Sequence, residues 1–194
     1  MFFATDFFLK IQAAILRYVC GITVNISGTE NLPQEPYLIA SQHESSWETL
    51  YFHALLGHPT MFAKREVFSY PLVGFLARRV GHIPVDRNGS VDAMRTSFAK
   101  GKQAAQAGRN LLIFPTGTRG PAQKAKLHSG VAVLYQLVDL PVVPVLVSSG
   151  HCWPPTSIWK YAGEIRVRIL PSIPAGIHRR DFLDRLSKDL TTQI

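Results

Sequence analysis

Residues 36 to 57, "PYLIASQHESSWETLYFHALLG", contain the strand and the helix from which we first predict the fold. Its first part, residues 36–41, is a short apolar run that is typical of a buried strand. Its second part, residues 46–57, has the pattern of a helix that ends at Gly57. The predicted strand leads directly to His43, which stands just before the predicted helix. A strand followed at once by a helix is the building unit of α/β proteins.

The same alternation of short strands and helices continues along the chain, and we predict one α/β domain with a largely parallel mixed sheet flanked by helices. Ligands collect beyond the carboxyl ends of the strands in such sheets. His43, Arg87 and the turn at 116–120 each follow a predicted strand, so we expect them to share one cleft. The remaining predicted strands are 22–27, 60–64, the centre of 81–87, 110–115, 141–147 and 163–170. The remaining helices are 66–79, which Pro71 and Gly74 disturb, 90–107, 130–139 and 179–190.

Residues 1–21 precede the predicted domain, 22–194, and have the pattern of an amphipathic helix. They lack both the long uncharged run of a spanning helix and the cleavage site of a signal peptide. We interpret this segment as a helix that lies in a membrane interface, and a helix packed on its own domain is the alternative. Asp6, Lys10 and Arg17 form a narrow polar stripe, and the wide apolar arc comprises Phe3, Phe7, Phe8, Ile11, Ile15 and Leu16.

Composition limits the class of protein. Apolar residues make up 46% of the chain, which excludes disorder. The formal net charge of +8 indicates an anionic partner, such as a nucleic acid, an anionic membrane or a phosphorylated substrate. Basic and aromatic residues do not interleave as in nucleic-acid recognition modules, so we expect no nucleic acid. The two cysteines, Cys20 and Cys152, have no metal-site spacing, and His53 and His58 read as surface or loop histidines, so no metal site is predicted.

The spacing of His43 and Glu48 has two interpretations. Ser45 and Glu48 have the spacing of a capping box, in which each side chain satisfies a backbone N–H at the start of a helix. That interpretation leaves His43 unexplained. Glu48 lies one turn into the helix, where it can reach the imidazole and fix its tautomer, as a general base requires. The spacing alone is common, so it does not decide between the two.

Two arginines also follow predicted strands. Arg87 ends "IPVDR", residues 83–87, and Arg119 lies in "FPTGTR", residues 114–119. An arginine beside free backbone N–H groups is suited to bind phosphate. A structural salt bridge is the alternative for each arginine.

Taken in order, these segments resemble the glycerolipid acyltransferase family, the 1-acylglycerol-3-phosphate acyltransferases. The resemblance covers roughly residues 20–175 and is strongest to the short bacterial members, including "SSGHCWP" at 148–154. It rests on His43-x4-Glu48, the pair Lys64 and Arg65, "IPVDR", "FPTGTR" and "VVPV" at 142–145.

The resemblance implies an enzyme of phospholipid biosynthesis at the cytoplasmic face of the cell membrane, held there peripherally or monotopically by its N-terminal helix. His43 would take the proton from the hydroxyl of a lysophospholipid, and the oxygen would attack acyl-CoA or acyl-carrier protein. Glu48 would orient His43. No cofactor is expected beyond this co-substrate, and an anionic phospholipid membrane is the expected partner. The resemblance assigns phosphate binding to Arg87, Arg119, Lys64 and Arg65, the third-motif turn to Phe114, Pro115, Thr116, Gly117 and Thr118, and the acyl side to Pro144.

Thr116 departs from the family pattern, which usually has glutamate at that place. Threonine can form a hydrogen bond but supplies no negative charge, so we expect weakened activity if the carboxylate positions the acceptor or its arginine. Three explanations remain open: a tolerated natural change, a different acceptor such as a lyso-ornithine lipid, and a change introduced to trap or disable the enzyme. The alternative from another class is a lipid-binding protein with an impaired site. "LHSG" at 127–130 departs too, and the chain stops within a predicted helix, as one lacking a C-terminal extension would.

Overall fold

The computed structural model describes residues 2–34, 36–86, 89–120, 127–192 and 194, except for the side chains of 2–6, 8 and 9. Strands and helices alternate through these residues, as the sequence predicts. Short 3-10 helices occupy Thr29–Asn31 and Arg65–Ser69. The strands are β1 (Ile22–Ser27), β2 (Leu38–Ser41), β3 (Thr60–Lys64), β4 (Ile83–Val85), β5 (Leu111–Ile113), β6 (Val142–Ser148) and β7 (Gly163–Ile169). The helices are α1 (Phe2–Tyr18), α2 (Trp47–Leu55), α3 (Pro71–Arg79), α4 (Val91–Gln106), α5 (Gly130–Val138) and α6 (Arg179–Thr191).

The strands of the described residues form one sheet in the order β1-β7-β6-β2-β5-β3-β4. Every neighbouring pair is parallel except β6 and β7, which are antiparallel, so the predicted largely parallel mixed sheet is confirmed. Strands β2 to β6 therefore point the same way, and their carboxyl ends meet at one edge. The ends of β2, β5 and β6 lie side by side there, where ligands gather in α/β folds.

Helices cover both faces of the sheet. The connections through α2 and α3 progress along the sheet towards β4, whereas those through α4 and α5 progress the other way. The right-handed rule for such crossovers therefore places α2 and α3 on one face, and α4 and α5 on the other. The apolar clusters agree, because Trp47 and Phe52 of α2 pack with Leu16 of α1, while Phe98 of α4 packs with Phe182 of α6. Full burial of such a side chain contributes roughly 2 to 3 kcal/mol.

The predicted helix 66–79 is divided in the structure. A 3-10 turn covers its first part, and α3 begins at Pro71, which has no N–H to donate and has a φ suited to a first helical turn. Gly74 packs against the backbone of the preceding turn, since a Cβ there would lie 2.2 Å from the carbonyl oxygen of Phe68. Arg78 Nη1 donates to the same oxygen at 2.9 Å. Both contacts fix α3 on the turn before it.

Helix α1 is partly buried against its own domain. Leu16, which we assigned to the apolar arc, is buried in the core beside α2. Phe7, Ile11 and Ile15 of the same arc are exposed. The helix thus packs on its own domain through Leu16, and the interfacial role of its remaining apolar residues stays a prediction. No helix in the described part of the chain is long and apolar enough to cross a membrane.

Three histidine rings meet at the amino ends of β3 and β4, the edge opposite the strand ends described above. The ring of His53 lies 4.8 Å from that of His58 and 5.4 Å from that of His82, measured between centroids. The expectation that His53 is a surface histidine is wrong, because its position on α2 faces the interior and its side chain is buried. His82 Nδ1 accepts a hydrogen bond from the Met61 N–H at 3.2 Å. Burial, followed by the nearby charges of His53 and Arg109, lowers the pKa of His82 from 6.5 to about 3.

We expect this pKa of His82 to make the folded protein less stable in acid. Between pH 6.5 and about 3 the unfolded chain binds a proton at His82 that the folded chain does not, so the free energy of unfolding falls as the pH falls through this window. His82→Asn should flatten the dependence, because asparagine offers Oδ1 to the Met61 N–H but does not titrate. The check is the melting temperature of both proteins across that pH range. Parallel curves would contradict the assignment.

Candidate active site

His43 and Glu48 form a contact between the end of β2 and the first turn of α2. His43 Nδ1 lies 3.1 Å from Glu48 Oε2, with the histidine side chain 10% exposed and the glutamate side chain fully buried. An ionised Glu48 accepts the Nδ1–H, which leaves the lone pair of a neutral imidazole on Nε2. The geometry therefore provides a histidine of fixed tautomer with one nitrogen able to accept a proton.

Glu48 is surrounded by hydrogen-bond donors. The backbone N–H of Ser45 donates to both carboxylate oxygens, at 3.0 and 3.2 Å, and Ser45 Oγ lies 3.4 Å from Oε1. Ser149 directly follows β6, and its Oγ also donates to Glu48 Oε1. A buried charge costs several kcal/mol unless such partners compensate it. The donors from two separate segments hold the carboxylate where it meets His43.

The same carboxylate makes one half of the predicted capping box, because Glu48 accepts from the Ser45 N–H at 3.0 Å. The other half differs. Ser45 Oγ accepts from the Trp47 N–H at 3.0 Å, two residues on, whereas a capping box uses the third, and the N-cap of the helix is Ser46. These bonds fix Glu48 at the start of the helix, where it contacts His43.

The turn after β5 contacts His43 on two sides. The ring of Phe114 stacks on the imidazole, with centroids 4.0 Å apart and an angle of 18° between the planes. The Gly120 N–H donates to the carbonyl oxygen of His43 at 2.9 Å. Gly117 gives the turn its shape with a φ of 71°, and its N–H bonds to the Phe114 carbonyl at 3.0 Å. The structure thus brings His43 and the turn together, as the sequence predicts.

A small cavity opens beside His43 and Thr116 and is closed on the far side by the end of α6. Thr116 Oγ1 donates to the Thr118 carbonyl at 3.2 Å. Gln42 fixes α6 at this place, because its side-chain oxygen accepts from the Val147 N–H at 2.8 Å and its amide nitrogen donates to the Leu190 carbonyl at 2.6 Å. The cavity lining consists of Gln42, His43, Thr116, Gly120, Leu127, Ser187, Leu190 and Thr191.

The predicted phosphate ligands differ in their placement. Arg119 is exposed on the turn that contacts His43. Arg87 lies outside the described residues. Lys64 ends β3 and Arg65 follows it, at the same edge of the sheet as His43. They pair with Glu66 at 3.1 Å and with Asp86 at 3.3 Å, respectively.

Other predicted positions have backbone contacts. Pro144 is buried within β6 opposite Ala40, and its carbonyl accepts from the Leu170 N–H at 3.0 Å. His128 is exposed, and its N–H donates to the Pro115 carbonyl at 2.9 Å. Pro115 thereby ties the third-motif turn to the chain at 128. No group of three or more His, Cys, Asp or Glu residues among those described is arranged to hold a metal ion.

Two positioning residues, Ser149 and Glu44, were not predicted from the sequence. Ser149 Oγ contacts Glu48 and also lies 3.0 Å from Ser45 Oγ. Glu44 Oε2 accepts from the N–H groups of Ser149 and Gly150, at 2.9 and 3.0 Å, and so holds the start of the β6–β7 loop. The sequence signal for Ser149 is the polar "SSG" at the end of the buried strand β6. It does not indicate the contact with Glu48, because the two residues are 101 positions apart.

Comparisons with known proteins show the family of the chain. The family model described as acyltransferase matches residues 23–148. A 1-acyl-sn-glycerol-3-phosphate acyltransferase from Pseudomonas aeruginosa is 33% identical over 162 residues, which are 83% of this chain and 63% of the relative. The alpha form of that enzyme from Homo sapiens is 26% identical over 175 residues, 86% of this chain and 60% of the relative. The chain thus spans about six tenths of the length of these curated relatives.

The fold has a counterpart among solved structures. The crystal structure of the 1-acyl-sn-glycerophosphate acyltransferase PlsC from Thermotoga maritima aligns with a TM-score of 0.75 and 20% sequence identity. The alignment covers 97% of this chain and 78% of that protein. This likeness shows the fold, a single α/β domain with a mostly parallel mixed sheet between helices.

Proposed function

The chain belongs to the acyltransferase family, and on that premise we propose that it acylates the free hydroxyl of 1-acylglycerol-3-phosphate to give phosphatidic acid. The observation that carries the proposal is the fully buried Glu48 in contact with Nδ1 of a slightly exposed His43. The names of the Pseudomonas and human relatives support the acceptor. The acyl donor is a thioester, of CoA or of acyl-carrier protein.

His43 acts as the general base in this proposal. Its Nε2 takes the proton from the acceptor hydroxyl while the hydroxyl oxygen attacks the carbonyl carbon of the thioester. The new C–O bond forms and the C–S bond breaks. The leaving thiolate then takes the proton from the imidazolium and departs as a free thiol. Glu48 stabilises the imidazolium between these two steps through the Nδ1–H contact. No side chain becomes acylated.

Arginines bind the phosphate of the acceptor in this proposal. Arg119 is the best supported, since its turn contacts His43 through Phe114 and Gly120 and since the residue is exposed. Arg87 is proposed from the motif that it ends, and Lys64 and Arg65 from their place at the carboxyl end of β3. Arginine forks suit phosphate oxygens because they donate two parallel hydrogen bonds.

We further propose that the protein works at the cytoplasmic face of an anionic membrane. The exposed Phe7, Ile11 and Ile15 of α1 lie among the basic residues Lys10 and Arg17, a combination typical of interfacial helices. The lysolipid acceptor resides in that membrane, so docking would bring it to His43.

Thr116 favours a second candidate, an acceptor other than 1-acylglycerol-3-phosphate. Its hydroxyl lines the cavity beside His43 and donates to the Thr118 carbonyl, where a carboxylate could instead orient Arg119. A lysolipid with a different headgroup, such as a lyso-ornithine lipid, would not need that orientation. A lipid-binding protein with an impaired site would bind vesicles without turnover.

The test is formation of phosphatidic acid from lysophosphatidic acid and palmitoyl-CoA by the purified protein. We expect turnover, and we expect Thr116→Glu to increase it about tenfold, because a carboxylate beside Arg119 adds a charge-assisted hydrogen bond. Thr116→Gln, of the same length but without charge, is the matched control and should gain little. Equal rates for the Glu and Gln variants would reject the charge argument. Faster turnover of lyso-ornithine lipid would favour the second candidate, and no turnover of any lysolipid would favour the lipid-binding protein.

A further inference from the structure

Helix α3 buries its small residues and exposes its large apolar ones. Gly74 and Ala77 face the protein and are buried. The large apolar side chains of this segment are each between 51% and 70% exposed: Tyr70, Leu72, Val73, Phe75 and Leu76. A helix that packs on a soluble domain normally shows the opposite pattern. A continuous exposed apolar surface of this kind is typical of an interaction site.

This exposure is built into the way that α3 packs. Gly74 lets the helix approach the Phe68 carbonyl to a distance that no side chain would allow, and Arg78 donates to the same oxygen. The rotation of α3 about its axis is therefore fixed, and Leu72 and Phe75 face outward. Rotation of the helix to bury them would break both contacts with Phe68.

Positive charge surrounds this surface. Four basic residues and one acidic residue lie between residues 64 and 79, giving the segment a formal net charge of +3. Arg78 and Arg79 occupy the last turn of the helix, and both are exposed. Lys64 and Arg65 stand before the helix and are also exposed, although they pair with Glu66 and Asp86. Basic residues next to exposed apolar ones complement an anionic lipid surface, where the charges meet headgroups and the apolar side chains enter the acyl boundary.

The surface also lies on the same side of the sheet as the exposed part of α1. Right-handed crossovers place α2 and α3 on one face. Leu16 of α1 packs beside α2 on that face, while Phe7, Ile11 and Tyr18 of α1 remain exposed. Two separate apolar surfaces, each with basic residues, therefore lie on one side of the sheet.

We propose that α3 is a second membrane-docking element, which lies in the interface of an anionic bilayer with Leu72, Val73, Phe75 and Leu76 directed into the lipid. The inference rests on the proposed function for its membrane setting, but not on the identity of the acceptor. With α1, it gives the protein two points of attachment. Two attachments fix the orientation of the domain on the bilayer, which one helix alone does not.

The test is co-sedimentation with vesicles of phosphatidylethanolamine and phosphatidylglycerol. Leu72→Gln/Phe75→Gln should lower the partition coefficient about tenfold, since two large apolar side chains no longer enter the interface. Arg79→Gln should lower it about fivefold and weaken its salt dependence. Val91→Gln on α4 is the matched control, because Val91 is 68% exposed on the opposite face, and it should bind like the parent. Circular dichroism verifies that each variant is folded.

The outcomes separate this inference from the proposed function. Unchanged vesicle binding by Leu72→Gln/Phe75→Gln would overturn the docking role of α3. If the parent is a dimer and the variant is a monomer that still binds vesicles like the parent, the docking role is overturned too. The exposed residues of α3 would then form a contact between two copies of the chain. Turnover of a short-chain, monomeric lysophosphatidic acid without vesicles should be equal in parent and variant. If neither protein turns over this substrate but the variant still binds vesicles less tightly than the parent, the proposed acceptor is rejected and the docking role of α3 is retained.

Discussion

Replacing His43 with alanine should lower acyl transfer to lysophosphatidic acid by about 10³-fold, because a positioned general base contributes about that factor. The imidazole is the only group in the described site whose nitrogen is oriented by a buried carboxylate towards the cleft. The measurement is phosphatidic acid formation at saturating acyl-CoA. A rate within a few-fold of the parent would end the assignment of His43 as the base.

The loss in His43→Ala must be distinguished from a structural effect, since the ring stacks on Phe114. The imidazole is near the surface of the cleft, so we expect only a small change in melting temperature. Added imidazole should restore part of the activity of His43→Ala by occupying the vacated space. A purely structural role of the ring would give no such rescue.

Replacing Glu48 with glutamine should have a comparable effect on rate, about 10³- to 10⁴-fold, together with a loss of stability. The amide of glutamine has one oxygen, whereas the two carboxylate oxygens of Glu48 accept from His43, the Ser45 N–H and the Ser149 hydroxyl. Whichever way the amide is turned, one of its N–H groups faces another donor. A mismatched buried polar group costs about 1 to 3 kcal/mol, so the melting temperature should fall by several degrees.

Ser149→Ala is the matched control for Glu48→Gln. It removes one donor to the carboxylate but keeps the charge and the contact with His43. We expect its rate to fall by about tenfold, far less than for the glutamine variant. Similar losses in both variants would mean that the arrangement around Glu48 matters more than its charge, and would contradict the orienting role that we assign to the carboxylate.

The sequence predicted the local elements of this fold well, because each is bounded by strong local signals. β2 and α2 follow from an apolar run and a capping box, and α4 ends just before Gly108, which has the positive φ typical of a residue after a helix. The disturbance at Pro71 was expected, but the 3-10 turn before it was not, since the apolar pattern of 66–79 continues across the proline. The burial of Leu16 follows the alternative interpretation of residues 1–21, because an amphipathic pattern does not show what covers the apolar side.

The candidate site was predictable in part. His43 and the turn around Thr116 could be placed together, because both follow strands that end at one edge of a parallel sheet. The contacts of Ser149 with Glu48 and of Glu44 with the β6–β7 loop could not, since they depend on which strands become neighbours. Strand order is set by packing across the whole domain, and residues of β2 and β6 carry no local mark of their pairing.

The long sequence separation between Glu48 and Ser149 has a consequence for the order of folding. The two residues are 101 positions apart, so the loop between them must close before the hydroxyl reaches the carboxylate. Until β6 pairs with β2, Glu48 remains hydrated, because its carboxylate would otherwise be buried without the hydrogen bond from Ser149. An emerging chain that has completed only β1 to β5 therefore has its histidine and glutamate but not the assembled pair, and chemistry waits for the C-terminal third of the domain.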